Sequence, residues 1–207
     1  MYKENLEQQM MARHCAGVYE KMKDACVGIA GLGGLGSNIA AMLARMGVGH
    51  MVLADFDVVE PSNLNRQNYF VSQLGKYKAE ATAEQLAQIN PFINVKTHTI
   101  RVEEENAAAL FGECQVVCEA FDNPESKAML VSTLLAECPA IKLVCGSGMA
   151  GICSANEIIT RRRMSRLYVC GDERTDAEVG IMAPRVMICA GHQANMTVRL
   201  LMGENEA

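Results

Sequence analysis

The feature that most constrains this chain is the segment Gly31-Leu32-Gly33-Gly34-Leu35-Gly36, which contains G-x-G-x-x-G. It follows a short apolar run, Ala25-Cys26-Val27-Gly28-Ile29-Ala30, too short for a helix and suited to a buried strand. It precedes a stretch, 37–46, that carries Ile39, Leu43 and Met46 on one helical face. Strand, glycine turn and helix form the context in which such a motif holds a nucleotide. Gly31 permits the tight turn, Gly33 lets the backbone approach a phosphate, and Gly36 lets helix and strand pack closely. The helix start adds unpaired N–H groups and a positive dipole end. Asp55 falls about 20 residues beyond the loop, at the end of the second predicted strand, where a carboxylate can accept hydrogen bonds from ribose hydroxyls. The loop alone does not choose among NAD, FAD and ATP. A glycine turn that holds no ligand is the plainer alternative.

Further short apolar runs read as strands at 50–54, 94–101, 116–120, 141–145 and 156–161. Between and after them, helices are predicted over 77–88, over 103–111, from Asn123-Pro124 onward, and from Pro184 to a stop at Gly203. This alternation predicts an α/β fold: a three-layer, Rossmann-like, doubly wound and mainly parallel sheet with helices on both faces. Residues 1–24 read as an N-terminal helical arm, and 25–207 as a single nucleotide-binding domain. A length of 207 residues with 50% hydrophobic content suits one sizeable core and excludes disorder as the main state. The acidic stretch 171–180 reads as a mobile loop.

A net charge of -5 argues against a nucleic-acid partner. No apolar run reaches the about 18 residues of a membrane span, and the first eight residues hold no apolar signal core. A cytoplasmic protein away from membranes is expected, with its nine cysteines mostly reduced. No Cys-x-x-Cys pair is present, so no zinc is expected.

The discriminating stretch runs from Asp55-Phe56-Asp57 through Ser62-Asn63-Leu64-Asn65-Arg66-Gln67 to Lys78. A dehydrogenase normally continues from its ribose-binding acid into an ordinary helix, whereas here a long polar segment carries Arg66, and Lys78 opens the next helix. Two cations beyond the glycine loop suit a triphosphate better than a dinucleotide. The bland alternative is that Arg66 and Lys78 form surface ion pairs with Asp57 or Glu60. Asp122 follows a predicted strand, at the sheet edge where doubly wound folds bind ligands. Its alternative role is to cap the helix that begins at Pro124, a role Asn123 could fill alone.

These motifs, with Ala120-Phe121-Asp122-Asn123, occur in the order seen in the ThiF and molybdopterin-synthase adenylyltransferases, within the superfamily of ubiquitin-activating enzymes. The resemblance runs from about Ala25 to Ala150. Met182-Ala183-Pro184-Arg185 and Ala190-Gly191-His192-Gln193-Ala194-Asn195 are most similar to the short "family 2" ThiF proteins. The resemblance implies ATP-dependent activation of the C-terminal glycine of a small ThiS-like sulfur carrier of ubiquitin fold, in thiamine biosynthesis. It implies that Gly31, Gly33, Gly34, Gly36, Asp55 and Asp57 frame the nucleotide. Asn63, Arg66 and Lys78 would bind phosphate oxygens, and Asp122 would help hold Mg2+. It further implies a homodimer in which Arg13 of one subunit reaches the other's ATP.

Some relatives carry the activated carrier on a cysteine, and Cys170 is the candidate here, with small apolar filler as its alternative. Cys145 and Cys153 read as buried. The cluster Arg161-Arg162-Arg163 with Arg166 reads either as a docking site for an acidic carrier or as a solvated strand end. Three other functions stay open at this point. One is an NAD(P)-dependent oxidoreductase. Another is a non-catalytic nucleotide-binding interaction module. The third is an enzyme that activates a non-protein carboxylate, such as one on a modified nucleoside.

Overall fold

The structure is a computed structural model that describes residues 2–207, with side chains from residue 5 onward. Its elements are α1 (Tyr2–Met11), α2 (Val18–Lys23), β1 (Cys26–Ala30), α3 (Gly34–Arg45), β2 (His50–Ala54), α4 (Lys78–Ile89), β3 (Asn94–His98), α5 (Glu104–Phe111), β4 (Val116–Glu119), α6 (Pro124–Glu137), β5 (Lys142–Gly146), β6 (Ile159–Met164), β7 (Leu167–Gly171) and α7 (Ala183–Met202). The strands form one sheet in the order β3-β2-β1-β4-β5-β7-β6. All neighbours are parallel except β6 and β7. The doubly wound, mainly parallel α/β sheet expected from the alternation is therefore what the chain forms.

The central strands are apolar because the sheet is covered on both sides. On one face α3 and α7, with α2 and α4, bury Ile39, Leu43, Cys189 and Met196 against Val27, Ile29 and Leu53. On the other face α5 and α6 bury Phe111, Leu130 and Leu134 against Val117 and Leu143. Strand order reverses direction between β1 and β4. Each of those strands feeds a helix on a different face, so a crevice opens at their carboxyl ends.

The first turn of α3 lies tightly on the end of β1. Gly31 adopts φ +88°, and a Cβ on Gly36 would run into the Gly31 carbonyl. Closeness at Gly36 is therefore a steric requirement of the turn.

Three expectations need correction. The arm is two helices, broken across 12–17, where Gly17 adopts φ +80°. The second of them buries Met22 completely in the main core. β7 was absent from the predicted elements. It follows β6 through a two-residue turn, Ser165-Arg166, which lacks the Gly or Asn signal of a hairpin. Its Tyr168 and Cys170 are fully buried. The segment 172–180 is tied down by hydrogen bonds onto Asp172. The long polar stretch 55–76 is also organised. The Tyr69 hydroxyl donates to the Leu32 carbonyl at 2.8 Å, and the Asn68 N–H to Ser37 Oγ at 3.0 Å.

Gly36→Ala is expected to destabilise the protein by about 1–3 kcal/mol or more through overpacking. Gly191→Ala, at a helix-interior position with open space around it, is expected to stabilise by about 0.5–1 kcal/mol. Urea unfolding of the two variants should move the midpoint in opposite directions.

Candidate active site

At the crevice lies a cavity of about 450 Å³. Its wall includes Gly31, Gly33, Gly34, Asp55, Asp57, Arg66, Lys78 and Asp122. Residues that lie up to 91 positions apart in the chain thus meet at one edge of the sheet.

Asp55 leaves the end of β2 and turns toward the glycine loop. Its Oδ2 accepts the Leu32 N–H at 2.6 Å and its Oδ1 the Asp57 N–H at 2.8 Å. Burial pushes its carboxyl above the ordinary range, against those two hydrogen bonds and the Lys78 charge. Each oxygen keeps a lone pair for a further donor.

Lys78 is placed by the bridge between Val58 and Tyr77 and by its own N–H, which donates to the Asp57 carbonyl at 2.9 Å. Its ammonium is buried and pairs with Asp57 Oδ2 at 2.8 Å. The ion pair weighed as the bland alternative does exist, and it lies on the cavity wall. Arg66 reaches the same wall over Gly34, its Nη1 donating to the Ser62 carbonyl and to Asn65 Oδ1. Asn38 donates to the Arg66 carbonyl and to the Gly34 carbonyl, which locks that segment onto the start of α3.

Asp122 is exposed on the cavity wall and makes no hydrogen bond or ion pair among the described residues. Asn123 caps α6 by accepting the Ser126 N–H at 2.8 Å, which leaves the Asp122 carboxylate available. No group of three or more His, Cys, Asp or Glu stands ready for a metal among the described residues. A single carboxylate beside a phosphate site nevertheless suits Mg2+, which favours one or two protein carboxylates plus phosphate oxygens and water.

Gly36 packs behind the loop against Gly31. Asn63 shapes the turn that leads to Arg66. It is buried outside the cavity lining, its Oδ1 accepts the Glu60 N–H at 3.0 Å, and its carbonyl accepts the Arg66 and Gln67 N–H groups. Arg13 is exposed in the turn after α1 and does not line the cavity of its own chain. Cys170 takes the alternative weighed for it, that of small apolar filler. Its side chain is buried in the core beneath the sheet, and burial pushes the thiol up to about 11. Such a thiol is inaccessible and mostly protonated near neutrality, the opposite of an acyl-accepting cysteine. Cys153, expected buried, is exposed.

The arginine cluster is committed to structure in large part. Arg166 donates to the carbonyls of Leu135, Cys138 and Ile141 at the end of α6. Arg161 and Arg163 pair with Glu173.

Two ion pairs at the site escaped the sequence reading. Glu119, fully buried at the end of β4, meets Lys127 Nζ at 2.5 Å, and Lys127 also donates to the carbonyls of Phe121 and Gly146. A carboxylate inside an otherwise apolar strand was the available signal, because such a group needs a partner.

The second pair is Asp172 with Arg185, both buried. Arg185 also donates to the carbonyls of Cys153 and Ser154. Asp172 accepts from the Arg174 and Thr175 N–H groups and the Thr175 hydroxyl, and Thr175 Oγ1 accepts the Ala150 N–H. Ala150 and Thr175 both line the cavity, so this pair clasps two rim segments together. Burial pushes the Asp172 carboxyl up. The Thr175 and Arg174 hydrogen bonds and the Arg185 charge outweigh that push, so it titrates below its ordinary value.

Comparison with known proteins settles the kinship. The ThiF family matches residues 6–207. The chain belongs to the ThiF family. It is 34% identical over 195 residues to the molybdopterin-synthase adenylyltransferase of Escherichia coli, spanning 89% of this chain and 76% of that protein. The corresponding enzyme of Haemophilus influenzae is 34% identical over 197 residues, with 90% and 79% covered. Among solved structures, the E. coli tRNA N6-threonylcarbamoyladenosine dehydratase in complex with AMP superposes with a TM-score of 0.87 at 21% identity, covering 98% of both chains. At that identity it speaks to the fold alone. By membership this ThiF protein is an adenylyltransferase of the ubiquitin-activating type. The oxidoreductase reading is set aside.

Removal of one partner from a buried ion pair leaves the other charge stranded, so Arg185→Leu should cost about 3–5 kcal/mol in urea unfolding. The lowered Asp172 value fixes a sign with pH. Its contribution is complete above the unfolded carboxylate value of about 3.9 and is lost as pH falls through the lower folded value. The acid limb of the stability-pH curve should therefore be shallower in Asp172→Asn.

Proposed function

We propose that this ThiF protein activates a carboxylate with ATP, and that the carboxylate is the C-terminal glycine of a small ubiquitin-fold carrier of the ThiS type. The observation that carries this reading is the meeting of Arg66, Lys78 and Asp122 with the glycine loop and Asp55 on one cavity wall. The relatives named molybdopterin-synthase adenylyltransferase support it at the level of reaction type.

In this reading a carboxylate oxygen attacks the α-phosphorus of ATP. An O–P bond forms, the bond from the α-phosphorus to the bridging oxygen breaks, and pyrophosphate leaves with the bond's electron pair. The product is an acyl-adenylate. Nothing covalent is required of the protein, so its work is positioning and charge neutralisation. The loop N–H groups at the start of α3 receive phosphate oxygens. Asp55 orients the ribose. Arg66 and Lys78 face the charge that builds on the departing pyrophosphate, and Lys78 exchanges its Asp57 partner for phosphate. Asp122 would hold Mg2+, which supplies further neutralisation of phosphate charge when bound. The flexible end of the carrier enters beside Gly146–Ala150, which lines the cavity. The enzyme works as a homodimer in the cytoplasm, with Arg13 directed at the partner's nucleotide.

ATP–pyrophosphate exchange tests the reading. Exchange is expected with Mg2+ and a ThiS-like carrier, and none with a carrier that lacks its terminal glycine. Exchange driven only by an RNA bearing a carboxylated nucleoside would replace the carrier with that substrate. Arg66→Ala and Asp122→Ala should each lower exchange by about 10²–10³-fold, while their unfolding midpoints stay near that of the parent. Near-normal turnover in either variant would mean that the catalytic site lies elsewhere.

A further inference from the structure

At the opposite end of the sheet from the cavity, β1 begins with Cys26, and Cys114 lies just before β4. These strands are parallel neighbours, paired from Val27 with Val116 onward. The pairing is fixed at this end by the Gln115 N–H, which donates to the Cys26 carbonyl at 2.9 Å, and by the Cys26 N–H, which donates to Gln115 Oε1 at 3.0 Å. The two thiols share an S–H···S hydrogen bond with their sulfurs 3.6 Å apart. Cys26 is partly exposed and Cys114 is buried.

We propose that Cys26 and Cys114 form a reversible oxidation site, in which Cys26 is the peroxide-reactive thiol and Cys114 the resolving thiol that closes a disulfide between β1 and the segment before β4.

The asymmetry of the pair assigns the roles. Solvent reaches Cys26 and not Cys114. When Cys26 ionises, the Cys114 S–H donates to it. That hydrogen bond pulls the Cys26 thiol down to about 7, against its partial burial and the nearby Glu113 charge. The same interaction, with burial, pushes Cys114 up. The outer thiol is thus the nucleophile and the inner one the proton-bearing partner. Cys118, Cys145, Cys170 and Cys189 are buried, and burial drives each of their thiols up.

The chemistry balances with a hydroperoxide as oxidant. The Cys26 thiolate attacks one peroxide oxygen and the O–O bond breaks. The other oxygen leaves with the electron pair and takes up a proton. Cys26 is then a sulfenic acid. The Cys114 sulfur attacks the Cys26 sulfur, the S–O bond breaks, and water leaves carrying the Cys114 proton. Two thiols have given two electrons, and the peroxide has become two molecules of water when it is hydrogen peroxide. A small shift brings the sulfurs to bonding distance, about 2.05 Å, within a region already held by strand pairing. A dithiol exchanges the disulfide back to two thiols.

The test is limited oxidation of the full chain with hydrogen peroxide, followed by alkylation and peptide mass spectrometry. The protein is expected to lose two of its nine thiols, to become about 2 Da lighter, to yield a linked Cys26–Cys114 peptide, and to recover with dithiothreitol. Cys114→Ala should instead accumulate sulfenic acid at Cys26, trapped by dimedone. Cys26→Ser should abolish the linked peptide. The wild-type result stands even if a variant folds poorly. Linkage through other cysteines, or Cys26 remaining unmodified while Cys15 and Cys153 oxidise, would overturn the proposal. Failure of carrier adenylation would leave it untouched, because the site is remote from the cavity.

Discussion

Everything at the cavity depends on how closely α3 starts against the end of β1. With no Cβ at Gly36, the helix begins against the Gly31 carbonyl and aims its first N–H groups into the crevice. The Leu32 N–H is thereby brought to Asp55 and the Leu32 carbonyl to Tyr69, so the neighbouring strand and the polar segment after it both take their places from the loop. Arg66 then lies over Gly34, and Lys78 comes to the same wall through the bridge beside it. One steric fact thus sets two cations and a carboxylate from separate parts of the chain around a common space.

The charges at this edge divide into two kinds. Glu119 with the half-buried Lys127, and Asp172 with Arg185, are held in place by further hydrogen bonds to backbone carbonyls. Their value lies in fixing carbonyls and loops where a packed apolar pair would leave polar backbone unpaired. Asp122 is open to the cavity and uncommitted among the described residues, and Lys78 holds one exposed partner. An incoming polyanion therefore meets charges that can be redirected, on a frame whose other charges cannot.

Much of this was legible in the sequence, for reasons that particular residues make plain. The glycine hexapeptide, the apolar runs of β1 and β2, and the Asn123-Pro124 helix start are local signals whose meaning does not depend on distant residues. What failed was non-local. Cys170 was the candidate acyl-carrying thiol, but its pairing with Thr160 and Gly146 across the sheet buries it. The turn in which the Asn63 carboxamide oxygen closes on the Glu60 N–H was hidden in the same way. The clasp between Asp172 and Arg185 joins residues 13 apart on different elements, and neither has a neighbour in sequence that announces the other.

The order of the sheet also governs how molecules of this protein can meet. Its two edges are β3 and β6. β6 presents Arg161, Arg162 and Arg163 in succession, and β3 carries Lys96. Charged side chains along an edge strand oppose the addition of another strand. The arginines that resembled a docking site thus have a quieter consequence. With Glu173 and the carbonyls of Met164, Ser165 and Gly171 as their partners, they give the last strand of the sheet a charged border in place of an apolar one.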